Sequence, residues 1–130
     1  MRIELATALY AADEFTRAAA TLDTVLPQMD GQEDAALLRY YAGVSHAEIG
    51  ELEPAIEYLT AFLADADPHD ALYQDATYQL GTMLPATGRV EDGLRYLDAL
   101  RPILAAEYGP QSIHVSSLDR RIAQIRRRLT

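Results

Sequence analysis

The sequence predicts an all-α chain of three helical hairpins closed by a seventh helix, and three observations lead there. Apolar residues recur at helical spacing along most of its length. A block of 37 to 38 residues repeats, and a glycine or aspartate punctuates each copy at the same place. Setting Gly43 on Gly81 brings Gly50 onto Gly88, Leu52 onto Val90, Glu53 onto Glu91, Ala55 onto Gly93, Ile56 onto Leu94, Tyr58 onto Tyr96, Leu59 onto Leu97 and Ala61 onto Ala99. An earlier copy, one residue shorter in offset, sets Ala6 on Gly43, Phe15 on Leu52, Ala18 on Ala55, Leu22 on Leu59 and Val25 on Phe62.

The elements follow in order. Helices are predicted over 2–12 and 14–29, 33–49 and 53–65, 68–86 and 90–107, and 112–129. In each pair the first helix ends near Asp13, Gly50 or Gly88, where the left-handed turn conformation suits glycine. Pro54 sits in the first turn of the fourth helix, where its missing N–H costs nothing. Asp67-Pro68-His69-Asp70 reads as a cap, a first-turn proline and a third-position acid that open the fifth. Small residues face one another where paired helices should cross: Ala6 with Ala18, Gly43 with Ala55, and Gly81 with Gly93. Leucines such as Leu59 then fill the flanks as knobs. Pro85 and Pro102 lie inside helices and each removes one backbone bond. Pro27 is in register with Pro102, so both second helices are expected to kink there. The seventh helix follows Tyr108-Gly109-Pro110. Its single stripe of Val115, Leu118, Ile122, Ile125 and Leu129 marks it as a cap on the stack.

Length and composition narrow the function. At 130 residues the chain suits a single domain, with repeats over about 1–32, 33–67 and 68–109. The absence of cysteine removes disulfides, thiolate metal sites and cysteine nucleophiles. The formal charge is −9, from 20 acids against 11 bases, all of them arginine. Five arginines (Arg120, Arg121, Arg126, Arg127 and Arg128) crowd the last eleven residues. A net acidic surface repels phosphate backbones, so no nucleic-acid partner is expected. No apolar run approaches the roughly 18 residues of a membrane span. Glu4 falls where a signal peptide wants an apolar core, so a cytoplasmic setting is expected. The helical pattern starts at once, uncapped, and reads as a segment of a longer protein.

Taken together, Gly43, Gly50, Ala55, Leu59 and Phe62, then Gly81, Gly88, Gly93, Leu97 and Leu100, and more loosely Ala6, Asp13, Ala18, Leu22 and Val25, resemble the tetratricopeptide repeat. That family's unit is about 34 residues long. The resemblance covers essentially the whole chain. It departs where the family's first-helix aromatic is replaced by Leu9, His46 and Leu84, and where its terminal proline is missing. It implies a right-handed α-solenoid that binds peptide or protein on a concave face, with no cofactor. Glu107-Tyr108-Gly109-Pro110-Gln111-Ser112-Ile113-His114 is similar to the linker of long repeats in bacterial multidomain proteins. The lysine-free, alanine- and arginine-rich composition resembles the repeat region of actinobacterial serine/threonine kinases, which implies a non-catalytic part of such a parent.

The same resemblance assigns groove positions. They fall on Ile3, Thr7 and Tyr10, on Leu37, Tyr40, Val44 and Ala47, and on Asp75, Tyr78, Thr82 and Pro85. Tyr10, Tyr40 and Tyr78 would form an aromatic strip with polar tips, or else fill gaps between hairpins. Arg120 and Arg127 belong to a cluster able to hold a carboxylate or phosphate, or to an ordinary solvated face. Chaperone-tail clamps need lysine and asparagine, and the chain has neither. Gly43-Val44-Ser45-His46-Ala47 looks like a nucleophile elbow, but that motif needs a strand–turn–helix bend and this one lies mid-helix. His46, His69 and His114 share no metal spacing, and His46 reads as a hydrogen-bonded core residue. The expected function is a non-enzymatic interaction module. The alternative is a structural element that homodimerises, or packs on its parent, through its end faces.

Overall fold

The computed structural model describes residues 2–29 and 31–128. They form seven α-helices: α1 (Arg2–Ala11), α2 (Phe15–Val25), α3 (Ala35–Glu48), α4 (Leu52–Asp65), α5 (Ala71–Ala86), α6 (Val90–Tyr108) and α7 (Ile113–Arg127). A 3-10 turn, Leu26–Gln28, follows α2, and no strand occurs among the described residues. The all-α expectation holds. None of the described helices is long and apolar enough to cross a membrane. Leu129 lies outside the described residues.

Three-residue connections join α1 to α2, α3 to α4 and α5 to α6, and they are built alike. Glu14 N–H donates to Leu9 C=O, Glu51 N–H to His46 C=O and Arg89 N–H to Leu84 C=O, each at 2.9 Å. One residue earlier, Asp13, Gly50 and Gly88 donate to Tyr10, Ala47 and Pro85 at 3.1 Å. This pair of bonds is the Schellman helix ending, which consumes the orphan carbonyls of the last turn. It requires positive φ at the residue just past the cap, and φ is 60° at Asp13, 81° at Gly50 and 88° at Gly88. The repeat is therefore written into the backbone, with second helices starting at Phe15, Leu52 and Val90.

The chain divides into two compact units, Met1–Ala66 and Asp67–Thr130. The boundary coincides with the end of the second repeat. In the first unit α1, α2 and α3 enclose Ala6, Leu22, Val25, Leu26, Met29, Ala35, Leu38 and Ala42. Here α3 and α4 touch closely: a Cβ placed on Gly43 would lie 2.6 Å from Leu59 Cγ and 3.4 Å from the Ala55 carbonyl. In the second unit α7 lays Val115, Leu118, Ile122 and Ile125 against Leu97, Leu100 and Leu104 of α6. The α5–α6 approach is closer still. A Cβ on Gly93 would lie 2.5 Å from Pro85 Cδ and 2.8 Å from the Gly81 carbonyl. Pro85 cannot donate to that carbonyl four residues back, so the oxygen it orphans faces the bare α-carbon of Gly93.

Two local expectations are corrected. The fifth helix starts at Ala71, not at Pro68, because Asp70 takes the extended backbone (ψ 136°) and its Oδ1 accepts from Leu72 N–H at 2.8 Å. Asp67 instead closes a tight turn on His69 N–H at 2.9 Å. The two in-register prolines also act differently. The α-helix stops at Val25 and tightens into the 3-10 turn around Pro27, whereas α6 runs through Pro102 to Tyr108.

Candidate functional site

In the first unit the aromatic residues form a ladder from Phe15 through Tyr10, Tyr41 and Tyr40 to Phe62, so Tyr10 and Tyr40 pack on other rings. Tyr10 of α1 stacks on Tyr41 of α3, with centroids 4.2 Å apart, and meets Phe15 edge-on at 6.0 Å. Tyr40 meets Tyr41 edge-on at 6.2 Å and sets its ring 5.3 Å from Phe62 of α4. Adjacent helical residues point about 100° apart, so one position decides which neighbour a ring meets. Tyr40 is only 6% exposed and Val44 9%, so both act in packing, while Leu37 is 40% exposed on the same helix.

The second unit holds a cleft of about 470 Å³ between α5, the end of α6 and α7. Leu100, Leu104 and Leu118 form its floor, and Asp75, Tyr78, Tyr108, Ile113 and His114 its rim. The exposed rim mixes apolar and polar groups: Ile113 is 74% and Tyr108 45% exposed, and Asp75 and His114 are exposed beside them. Tyr108 is fixed by stacking on His114, with centroids 3.9 Å apart. Gln74, buried beneath the rim, donates to Glu107 Oε2 at 2.5 Å. Tyr78 is half-buried, and its hydroxyl accepts from Arg121 Nε at 3.4 Å. Thr82 spends its hydroxyl on the Gln79 carbonyl at 2.9 Å.

The arginines divide by direction. Arg121 reaches α5, and Arg126 Nη2 lies 3.4 Å from Asp98 of α6. Arg101 of α6 grips Asp119 of α7 with both arms, at 2.7 and 3.1 Å. That pairing raises the guanidinium pKa and lowers that of the carboxyl. Arg120 and Arg127 are exposed on α7. The cluster is thus partly a set of ties to neighbouring helices.

His46 is buried, 5% exposed, and satisfied at both ring nitrogens. Nδ1 lies 2.7 Å from Glu51 Oε1, and Nε2 lies 2.9 and 3.1 Å from the two oxygens of Asp23. Tyr58 donates to the same Asp23 oxygen at 2.7 Å and stacks on the imidazole at 5.7 Å. Ser45 beside it lies inside α3, wholly buried, and its hydroxyl has no hydrogen-bond partner among the described residues. No group of histidines and carboxylates among the described residues has metal-binding geometry. Sequence spacing found His46 as a bonded core residue but missed Asp23, 23 positions away, and Tyr58. Nor did it find the cleft, because Ile113 and Tyr108 read as linker and not as a surface. No protein-family model matches the chain, and neither a curated protein nor a solved structure matches it.

Proposed function

We propose that the chain is a non-catalytic protein-interaction module of tetratricopeptide type, which takes a peptide segment into the α5–α7 cleft. The observation that supports this is the cleft's anatomy: a floor of three leucines under a rim that exposes Ile113 and Tyr108. Apolar surface held open by stacked rings suits an aliphatic or aromatic side chain, and the Tyr78 hydroxyl and Gln74 supply polar groups to orient a backbone. The three matching helix endings and small-residue crossings support the array reading. The lysine-free composition supports a place beside a catalytic domain such as a serine/threonine kinase.

Panning a random-peptide display library on the whole chain tests the proposal. Enriched peptides are then measured by calorimetry against wild type and Ile113→Asp. A tenfold loss, about 1.4 kcal/mol, is expected. No enrichment, or equal affinity for both chains, rejects the cleft. The alternative, self-association through an end face, draws on Leu5, 46% exposed on α1. A concentration-dependent dimer abolished by Leu5→Glu in sedimentation would favour it.

A further inference from the structure

We infer that His46 is held as the imidazolium in the folded chain, and that its charge clasps α2 to the α3–α4 pair so that the junction loosens as pH rises. A neutral imidazole carries one N–H and one lone pair, yet carboxylate oxygens stand at hydrogen-bond distance from both nitrogens. Only the doubly protonated ring can donate to Glu51 and Asp23 together. Its partners come from separate elements. Asp23 lies on α2, Glu51 in the turn after α3, and Tyr58 on α4 donates to Asp23 from the far side. Glu57 adds its charge on Tyr58, and among the described residues no cation enters this group.

The other two copies sharpen the point. Position 46 corresponds to Leu9 and Leu84, the residues whose carbonyls close the first and third helix endings. Both are buried leucines, 6% and 4% exposed. Only the middle copy puts an ionisable ring there, and only there do two carboxylates meet it. A leucine would serve packing equally well, so the imidazole adds a charge-dependent tie.

Burial alone would lower the histidine pKa, but the hydrogen bonds to Asp23 and Glu51, and then their charges, outweigh it and raise it above 6.5. A raised folded pKa stabilises fully below the unfolded value near 6.5 and is lost as pH climbs through the folded value. The clasp therefore fails on the alkaline side. Tyr58 does not titrate in its place, because burial and then its bond to Asp23 push its own pKa upward.

NMR titration of the His46 ring in the whole chain, between about pH 5 and pH 10, tests this directly. The midpoint should lie above 6.5 and fall in both Asp23→Asn and Glu51→Gln. Urea midpoints across the same range should decline for wild type and stay level for His46→Leu, which suits the position in the other copies. Amide protection factors in α2, corrected for base-catalysed intrinsic exchange, should fall above the ring's midpoint. A midpoint at or below 6.5 overturns the inference, and so does an identical pH slope in wild type and His46→Leu. Should His46→Leu fail to fold, the wild-type and Asp23→Asn midpoints decide.

Discussion

At Gly50 and Gly93 the lack of a side chain answers two different demands, and substitution separates them. Gly50 has φ 81° with open space where a methyl would point, so Gly50→Ala meets backbone strain alone, about 1 kcal/mol. Gly93 has ordinary helical geometry, where alanine is intrinsically the better residue by roughly 1 kcal/mol. Yet its methyl would strike a proline ring and a backbone carbonyl, neither of which can swing aside. With contacts this short against a ring and a backbone oxygen, overpacking should reach the upper end of about 1–3 kcal/mol and exceed the helix gain, so Gly93→Ala should destabilise more than Gly50→Ala in urea unfolding. The reverse order would mean that α5 and α6 pack less closely than the geometry requires.

At the scale of the element, each of two helix pairs is held by one leucine seated opposite a glycine. Leu59 and Leu97 are both 0% exposed, and each occupies the space that a Cβ on Gly43 or Gly81 would need. Leu59→Ala and Leu97→Ala should each cost about 2–5 kcal/mol, because flanking helices cannot collapse fully into the void. Thermal and urea unfolding measure this directly, and near-zero cost at both would refute the pairing. α7 belongs to the same scheme. Its four buried residues were legible as a stripe, because a period near 3.6 is a local property of the chain.

For the whole molecule the charge is unevenly shared. The unit Met1–Ala66 contains 12 acids and 3 arginines, whereas Asp67–Thr130 contains 8 of each. Self-repulsion among exposed carboxylates opposes folding of the first unit, and salt screens it with a Debye length of about 8 Å at 0.15 M. The melting temperature should therefore rise as sodium chloride goes from about 10 mM to about 0.3 M. A fall would show that exposed pairs such as Arg101–Asp119 matter more than repulsion, against the small worth expected of surface ion pairs.

The sequence by itself determined the helices, their three matching endings, the small-residue crossings and the knobs Leu59 and Leu97. These depend on periodicity and on residues a few positions apart. The contact of His46 with Glu51 was within reach on the same grounds, since a Schellman ending brings the third-last helical residue against the second residue beyond the cap. Only the tertiary structure decided that Asp23 and Tyr58 complete that site, that Tyr41 and not Tyr40 stacks on Tyr10, and that Arg121 reaches Tyr78. Each of these depends on which face of a distant helix stands opposite, a rotation of about 100° per residue that local pattern leaves open.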